Sequence, residues 1–398
     1  MSILKLPTEV LMTVFDSIHD VKHLVQYRLV CKAWNKVALW KILSKPIYIY
    51  NEEQAKGFCS YLSKNKCFKS QVRNLWVTDF SNLDESQGYY SNEVNQQNNQ
   101  IKNLGEVEES ANKKKDYYKK ILSLVFTSKL EVLDGTMDDG CYQLISSLVA
   151  DYAKKDNDKE TFKLKKLPKP SMSNSAAYKD AALLFKGSLN YLKLWISHYM
   201  QPCEMNFFES LKSFKCLTSL ELNIKGDDFF ALKIIVDNCC TLQELDIEYI
   251  EDINWSQEAQ EWFNEHDTKN TCSLKSLLVS DCFSAAPIEY LVLKYMKIET
   301  VLIDMTSYAS HAEAERHFNE AEEDANEEGF IENLHLRVIE ALNTSTVSSY
   351  EMEFYPHHQY NPLDDVASLA KIGGNHAELA RSPDDQELMI LKVRPCRE

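Results

Sequence analysis

Leu242-Gln243-Glu244-Leu245-Asp246-Ile247 is one copy of a pattern that recurs down the chain: apolar, two residues, apolar, one residue, apolar. The same spacing appears as Val72-x-x-Leu75-x-Val77, Leu189-x-x-Leu192-x-Leu194 and Leu217-x-x-Leu220-x-Leu222. It returns as Leu274-x-x-Leu277-x-Val279, Ile298-x-x-Val301-x-Ile303 and Val347-x-x-Tyr350-x-Met352. Weaker copies start at Leu130 and Leu164, where Gly135 and Lys169 take the last apolar position. Side chains alternate along a strand, so each copy predicts a short strand with its second and third apolar residues turned inward. Starts from 164 to 298 lie 25, 28, 25, 32 and 24 residues apart.

Helical periodicity fills the intervals. Glu53 to Lys64 places Ala55, Phe58, Cys59 and Leu62 on one face. Asp116 to Phe126, Tyr142 to Ala153, Tyr178 to Phe185, Phe229 to Val236, Glu289 to Met296 and Leu334 to Leu342 read the same way. Strand then helix, repeated, is the organisation of a solenoid. A doubly wound α/β sheet would require a glycine-rich turn, and the ten glycines of this 398-residue chain form no G-x-G-x-x-G. The copies resemble the leucine-rich repeat, L-x-x-L-x-L-x-x-N/C with a period of about 20–29 residues. Cys282 falls on the final position after Leu274, and Cys239 sits three residues before Leu242. The other copies lack the Asn or Cys, so the array is divergent. The resemblance implies an α/β fold in which strand-helix repeats build a curved parallel sheet.

The N-terminal segment has a different grammar. Pro7 stands at a helix start, and apolar residues at 10, 11, 14, 15 and 18 follow on one helical face. Asp20 is placed to cap a second short helix, and a third runs through Trp34 and Leu39. Three such short helices bury little by themselves, so the module is completed by what it touches. Leu6-Pro7, the helix ending near Ile18 and the run Val30-Cys31-Lys32-Ala33-Trp34 resemble an F-box. That resemblance implies a handle over residues 1–45 that grips a Skp-family adaptor and, through it, a cullin scaffold. Leu6, Pro7, Val10, Leu11, Phe15, Val30, Cys31 and Trp34 are the expected adaptor-facing or adaptor-supporting residues. With repeats following over 46–355, the chain resembles an F-box protein of the leucine-rich-repeat class. A non-catalytic ubiquitin-ligase substrate receptor is then implied. The alternative is an F-box scaffold acting outside a ligase.

The outward positions of the predicted strands define the candidate target site. They include Trp76; Tyr191, Lys193 and Trp195; Glu221; and Glu244, Asp246 and Glu248. Three acidic residues on one strand beside Glu221 make a negative patch, where like charges cost stability unless a partner or screening offsets them. Aromatic anchors at Trp76, Tyr191 and Trp195 suit binding. These positions read either as a site for a protein segment carrying Lys or Arg, or as a plain solvated face.

The remaining features exclude other classes. Net charge is −16 and pI about 5.2, which opposes nucleic acid and anionic membrane surfaces. No run approaches the ~20 apolar residues of a membrane span, and Lys5, Glu9 and Asp16 interrupt any signal-like core. A cytoplasmic or nuclear location is expected, with Lys113 to Lys115 and Lys119-Lys120 a weak basic cluster. The eleven cysteines are irregularly spaced without C-x-x-C, so they read as small apolar residues rather than disulfides or zinc ligands. His19 and His23 straddle the capping Asp20, and His311 and His317 sit in the acidic stretch. Asp pairs at 138–139, 227–228, 364–365 and 384–385 lie beside turns. No nucleophile elbow, P-loop or H-E-x-x-H is present, so neither catalysis, metal nor cofactor is expected. Two insertions are expected at about 84–112 and 308–332. The first is polar; the second is acidic and reads as a solvated face or as a docking element for a basic partner. Residues 356–398 read as a poorly ordered tail or loose cap.

Overall fold

The strands that start at Tyr191, Ser219, Glu244, Ser276, Thr300 and Ser349 each begin two residues after the first apolar residue of a repeat. The computed structural model describes residues 6–18, 20–77, 117–155, 162–171, 175–196, 202–224, 229–250, 274–282, 286–295, 298–304, 338, 342, 347, 349–354, 375–382 and 389–395. They belong to two units, Met1–Leu189 and Asn190–Glu398.

The first unit begins with three helices, α1 (Thr8–Asp16), α2 (Val21–Tyr27) and α3 (Lys32–Ser44). Pro7 precedes α1 with φ −55°, and its carbonyl accepts the Leu11 N–H at 3.1 Å. The Asp20 carboxylate accepts the Lys22 N–H at 2.8 Å, capping α2 as its side chain type favours. Leu11, Phe15, Leu24, Val37 and Ala38 form the helical core. Phe15 stacks on Tyr27 at 5.7 Å, and Trp34 meets both edge-on at 5.3 and 5.7 Å. These are the offset and edge geometries that ring quadrupoles prefer.

A four-stranded parallel sheet follows, ordered β1 (Ile47–Ile49), β2 (Asn74–Val77), β3 (Val132–Met137) and β4 (Lys169–Pro170). Its helices are α4 (Glu52–Lys64), α5 over 117–125, α6 (Asp139–Lys155) and α7 (Ala176–Leu184). Asn51 and Ser175 cap α4 and α7 by accepting from Gln54 and Tyr178 N–H, each at 2.9 Å. Asp138 accepts the Cys141 N–H at 3.0 Å, and Asp139 accepts the Ser175 hydroxyl at 2.5 Å. This Asp pair therefore serves helix ends. Gly135 explains the lost apolar position of its repeat. Its φ is +110°, and a Cβ there would collide with the Val77 carbonyl on β2.

The second unit holds an eight-stranded sheet ordered β11-β12-β10-β9-β8-β7-β6-β5. In chain order its elements are β5 (Tyr191–Ile196), α8 (Pro202–Ser210), β6 (Ser219–Ile224), α9 (Phe229–Asn238), β7 (Glu244–Ile250) and β8 (Ser276–Cys282). Then come α10 (Ala286–Lys294), β9 (Thr300–Asp304), β10 (Ser349–Phe354), β11 (Asn375–Arg381) and β12 (Met389–Pro395). Strands β5 to β10 are parallel and in register, so Leu192, Leu220, Leu245, Leu277, Val301 and Tyr350 line one buried row. Leu194, Leu222, Ile247, Val279, Ile303 and Met352 line the next. Each fully buried side chain contributes about 1.5–3 kcal/mol. Between α9 and α10, Lys294 is buried, donates to Tyr290 Oη at 2.9 Å and pairs with Asp237.

Four elements differ from the sequence-based expectation. Helix α8 has a weak apolar period and was not anticipated. Strand β1 is too short, at three residues, to show a period. Residues 375–381 and 389–395 are strands, paired antiparallel with each other and, through β12, with β10. The sheet thus continues past the last repeat, within the stretch read from sequence as a poorly ordered tail or loose cap. The insertions at 84–112 and 308–332, His19, His311, His317 and the Asp pairs at 227–228, 364–365 and 384–385 lie outside the described residues. Of the helix expected over Leu334 to Leu342, Val338 and Leu342 are helical and buried.

Gly135→Ala should destabilise the chain by roughly 1–3 kcal/mol, since strain and a backbone clash add. A lowered urea midpoint would show it; an unchanged midpoint would mean that β2 and β3 separate without cost.

Candidate functional site

The N-terminal helices divide their apolar residues between two sides. Leu11 and Phe15 are buried in the core, and Leu6 and Trp34 pack against it half-buried. Pro7 is exposed, while Cys31 is half-buried and its carbonyl accepts the Asn35 N–H at 2.8 Å. Val10 and Val30 are exposed. So are Val14, Val21, Val25 and Leu29, the last 86% exposed. Of these, only Val14 was placed by the helical periodicity, which put Val10, Leu11, Val14 and Phe15 on one face. The structure splits that face, turning Leu11 and Phe15 inward and Val10 and Val14 outward. The i, i+4 spacing of Val10 with Val14 and of Val21 with Val25 was the available signal. Val10, Val14, Val21, Val25, Leu29 and Val30 are thus six exposed aliphatic residues in this helical segment. Trp34 Nε1 is buried with no hydrogen-bond partner among the described residues.

In the first sheet, Trp76 is exposed beside Tyr48, its register partner on β1, with ring centroids 6.0 Å apart. Tyr50 stacks on Tyr48 at 5.9 Å. The sequence reading missed both tyrosines because β1 precedes the first repeat. Lys166 lies over the Trp76 ring at 5.9 Å and pairs with the buried Asp134 at 2.7 Å.

In the second sheet the expected residues converge on a lysine. Lys193 and Glu221, cross-strand partners, are each only 8% exposed and pair at 2.5 Å. Lys193 also reaches Glu248 at 2.8 Å and lies over the Trp195 ring at 5.2 Å. Tyr191 donates its hydroxyl to Glu221. Burial alone would lower the Lys193 ammonium; hydrogen bonds and attraction from Glu221 and Glu248 outweigh it and hold it above its ordinary value. Two of the four carboxylates of the negative patch on β5 to β7, Glu221 and Glu248, are thus paired from within the same face. Asp246 is half-buried and Glu244 exposed. Asn223 Oδ1, in register with Trp195 and Glu248, is buried without a hydrogen bond among the described residues.

Further along this face the charge is less well matched. Burial, then Asp304 and Glu351, push the Glu353 carboxyl above its ordinary range, and Lys392 only partly counters them. Lys392 pairs with Glu351 at 2.8 Å. Among the described residues no group of three or more His, Cys, Asp or Glu side chains could hold a metal ion. None of the described helices is long and apolar enough to cross a membrane.

Residues 3–45 match the family model described as F-box-like. No curated protein matches the chain. The exposed aliphatic group at Val10, Val14, Val21, Val25, Leu29 and Val30 therefore lies within an F-box-like domain, and F-box domains generally bind Skp-family adaptors.

Lys193→Met keeps the aliphatic stem but leaves Glu221 buried without its cation, which should cost roughly 3–5 kcal/mol. Urea denaturation would measure it, and a loss below about 1 kcal/mol would class the pair with solvated surface bridges. Glu353 has the opposite consequence. Its carboxyl is raised in the fold, so its favourable contribution is complete below the unfolded pKa and lost as pH rises through the folded one. Glu353→Gln should therefore raise the melting temperature at pH 7 and leave it unchanged in acid; equal effects at both would refute the linkage.

Proposed function

We propose that this protein is the substrate-recognition subunit of a Skp-cullin-F-box ubiquitin ligase, of the leucine-rich-repeat class. The observation that carries the proposal is the F-box-like match over residues 3–45. The exposed Val10, Val14, Leu29 and Val30 support it, because adaptor docking would cover them. Parallel strands in register with helices between them support the solenoid part of the reading. The outer faces of the two sheets are the surfaces proposed to hold a target protein, with Trp76 on one and Tyr191, Trp195, Glu244, Asp246 and Glu248 on the other.

Such a subunit does no bond chemistry of its own. It would hold target lysines near the charged conjugating enzyme brought by the cullin, converting a bimolecular encounter into a local one. The reading places the protein in the cytoplasm or nucleus.

Co-purification with a Skp-family adaptor tests the proposal. The full chain should give a stoichiometric complex, and deletion of residues 1–45 should abolish it. Leu29→Glu combined with Val10→Glu should weaken capture at least about tenfold, as expected when charges enter an apolar interface core, while the melting temperature holds because both sites are exposed. Absence of a complex with the intact chain would refute the proposal.

A further inference from the structure

We infer that the outer face of β8 to β10 docks a polypeptide segment bearing apolar side chains flanked by Lys or Arg; this rests on the receptor reading above and specifies the partner's chemistry. Leu278 on β8 and Leu302 on β9 are direct cross-strand partners. Their neighbours Leu277, Val279, Val301 and Ile303 are buried in the core. The pleat therefore sends Leu278 and Leu302 to the opposite face. Leu302 is 38% exposed there and Leu278 is half-buried. Neither contributes to the core formed by the repeat residues, so the apolar pair is not explained by folding. Two adjacent leucines at the middle of a polar face have the layout of an interface centre with a polar rim.

The rim is acidic. Register places Asp246 beside Leu278 and Glu351 beside Leu302. Asp304 and Glu353 are partners in the next row. Between β6 and β10 no outer position carries Lys or Arg. Lys193 serves Glu221 and Glu248 at one flank, and Lys392 serves Glu351 at the other. Burial first, then the neighbouring Asp304 and Glu351, hold the Glu353 carboxyl above its ordinary range. An incoming apolar residue with neighbouring cations satisfies both features at once, and a polyanion is repelled.

Fluorescence anisotropy of the full chain in complex with its adaptor tests this with three labelled peptides. One carries two leucines flanked by Lys and Arg, the second replaces the cations by Glu, and the third replaces the leucines by Ser. The first should bind, and the others at least about tenfold more weakly. Its affinity should fall with added salt, and about tenfold with Leu302→Ser or Glu353→Gln. Leu184→Ser, at an exposed leucine of α7, should leave it unchanged. No binding of the first peptide, or binding indifferent to Leu302→Ser, overturns the inference. A dimer of the chain that Leu302→Ser dissociates also overturns it, since a second copy would then be the occupant. Adaptor capture is scored separately: its loss strikes the receptor reading, whereas lost peptide binding with capture intact strikes only the docking site.

Discussion

Leu220 and Leu222 on β6, held in register between Leu192 and Leu194 on one side and Leu245 and Ile247 on the other, represent the constraint on which the second unit rests. All six are at most 1% exposed. Burying that row fixes which face of every strand looks inward, because a slip of one residue would turn the whole apolar set to water. The helices then pack on the apolar side, as with Ala231, Leu232, Ile235 and Val236 of α9, all buried. The opposite side is left for polar groups, and its composition is free to vary with function.

That freedom is used unevenly. At β5 to β7 the outer face carries a mutually paired cluster: Lys193 holds two carboxylates, Tyr191 donates to one of them, and Trp195 lies beneath the ammonium. In such a cluster, removing either sign of charge strands the other at low dielectric. At β8 to β10 two leucines sit among carboxylates. The first region is held by ion pairs, and the second sets apolar side chains beside acidic ones. The N-terminal helices show the same division at smaller scale. Their aromatic triad of Phe15, Tyr27 and Trp34 packs together, while Val10, Val14, Val21, Val25, Leu29 and Val30 are left outside.

Much of this was legible in the residues. The apolar spacing placed β2, β3 and β5 to β10 within two residues of their starts, and the amphipathic stretches found α4 to α7, α9 and α10, because both signals come from periodic burial. Asp20 announced its cap. Helix α8 escaped since its period is weak, and β1 because three residues carry no period. The β11–β12 pair escaped for a different reason: it joins by antiparallel edge pairing, which needs no copy of the repeat. In the candidate site, the aromatic and acidic positions could be assigned to the outer face by counting residues. Their pairing could not, because Lys193 and Glu248 are 55 residues apart and meet only across an intervening strand.

The sequence by itself therefore determined the repeat strands and most of the helices between them, the inward residues of each repeat and the F-box-like start, all of which depend on spacing along one strand or helix. Tertiary structure alone decided which members of an apolar run face water, as with Leu11 and Phe15 inward against Val10 and Val14 outward. It alone decided that Lys193 pairs with Glu221 and Glu248 and that Leu278 and Leu302 stand together outside the core. The physical reason is that periodicity records how often a side chain is buried, whereas burial partners and charge balance depend on which strands lie side by side.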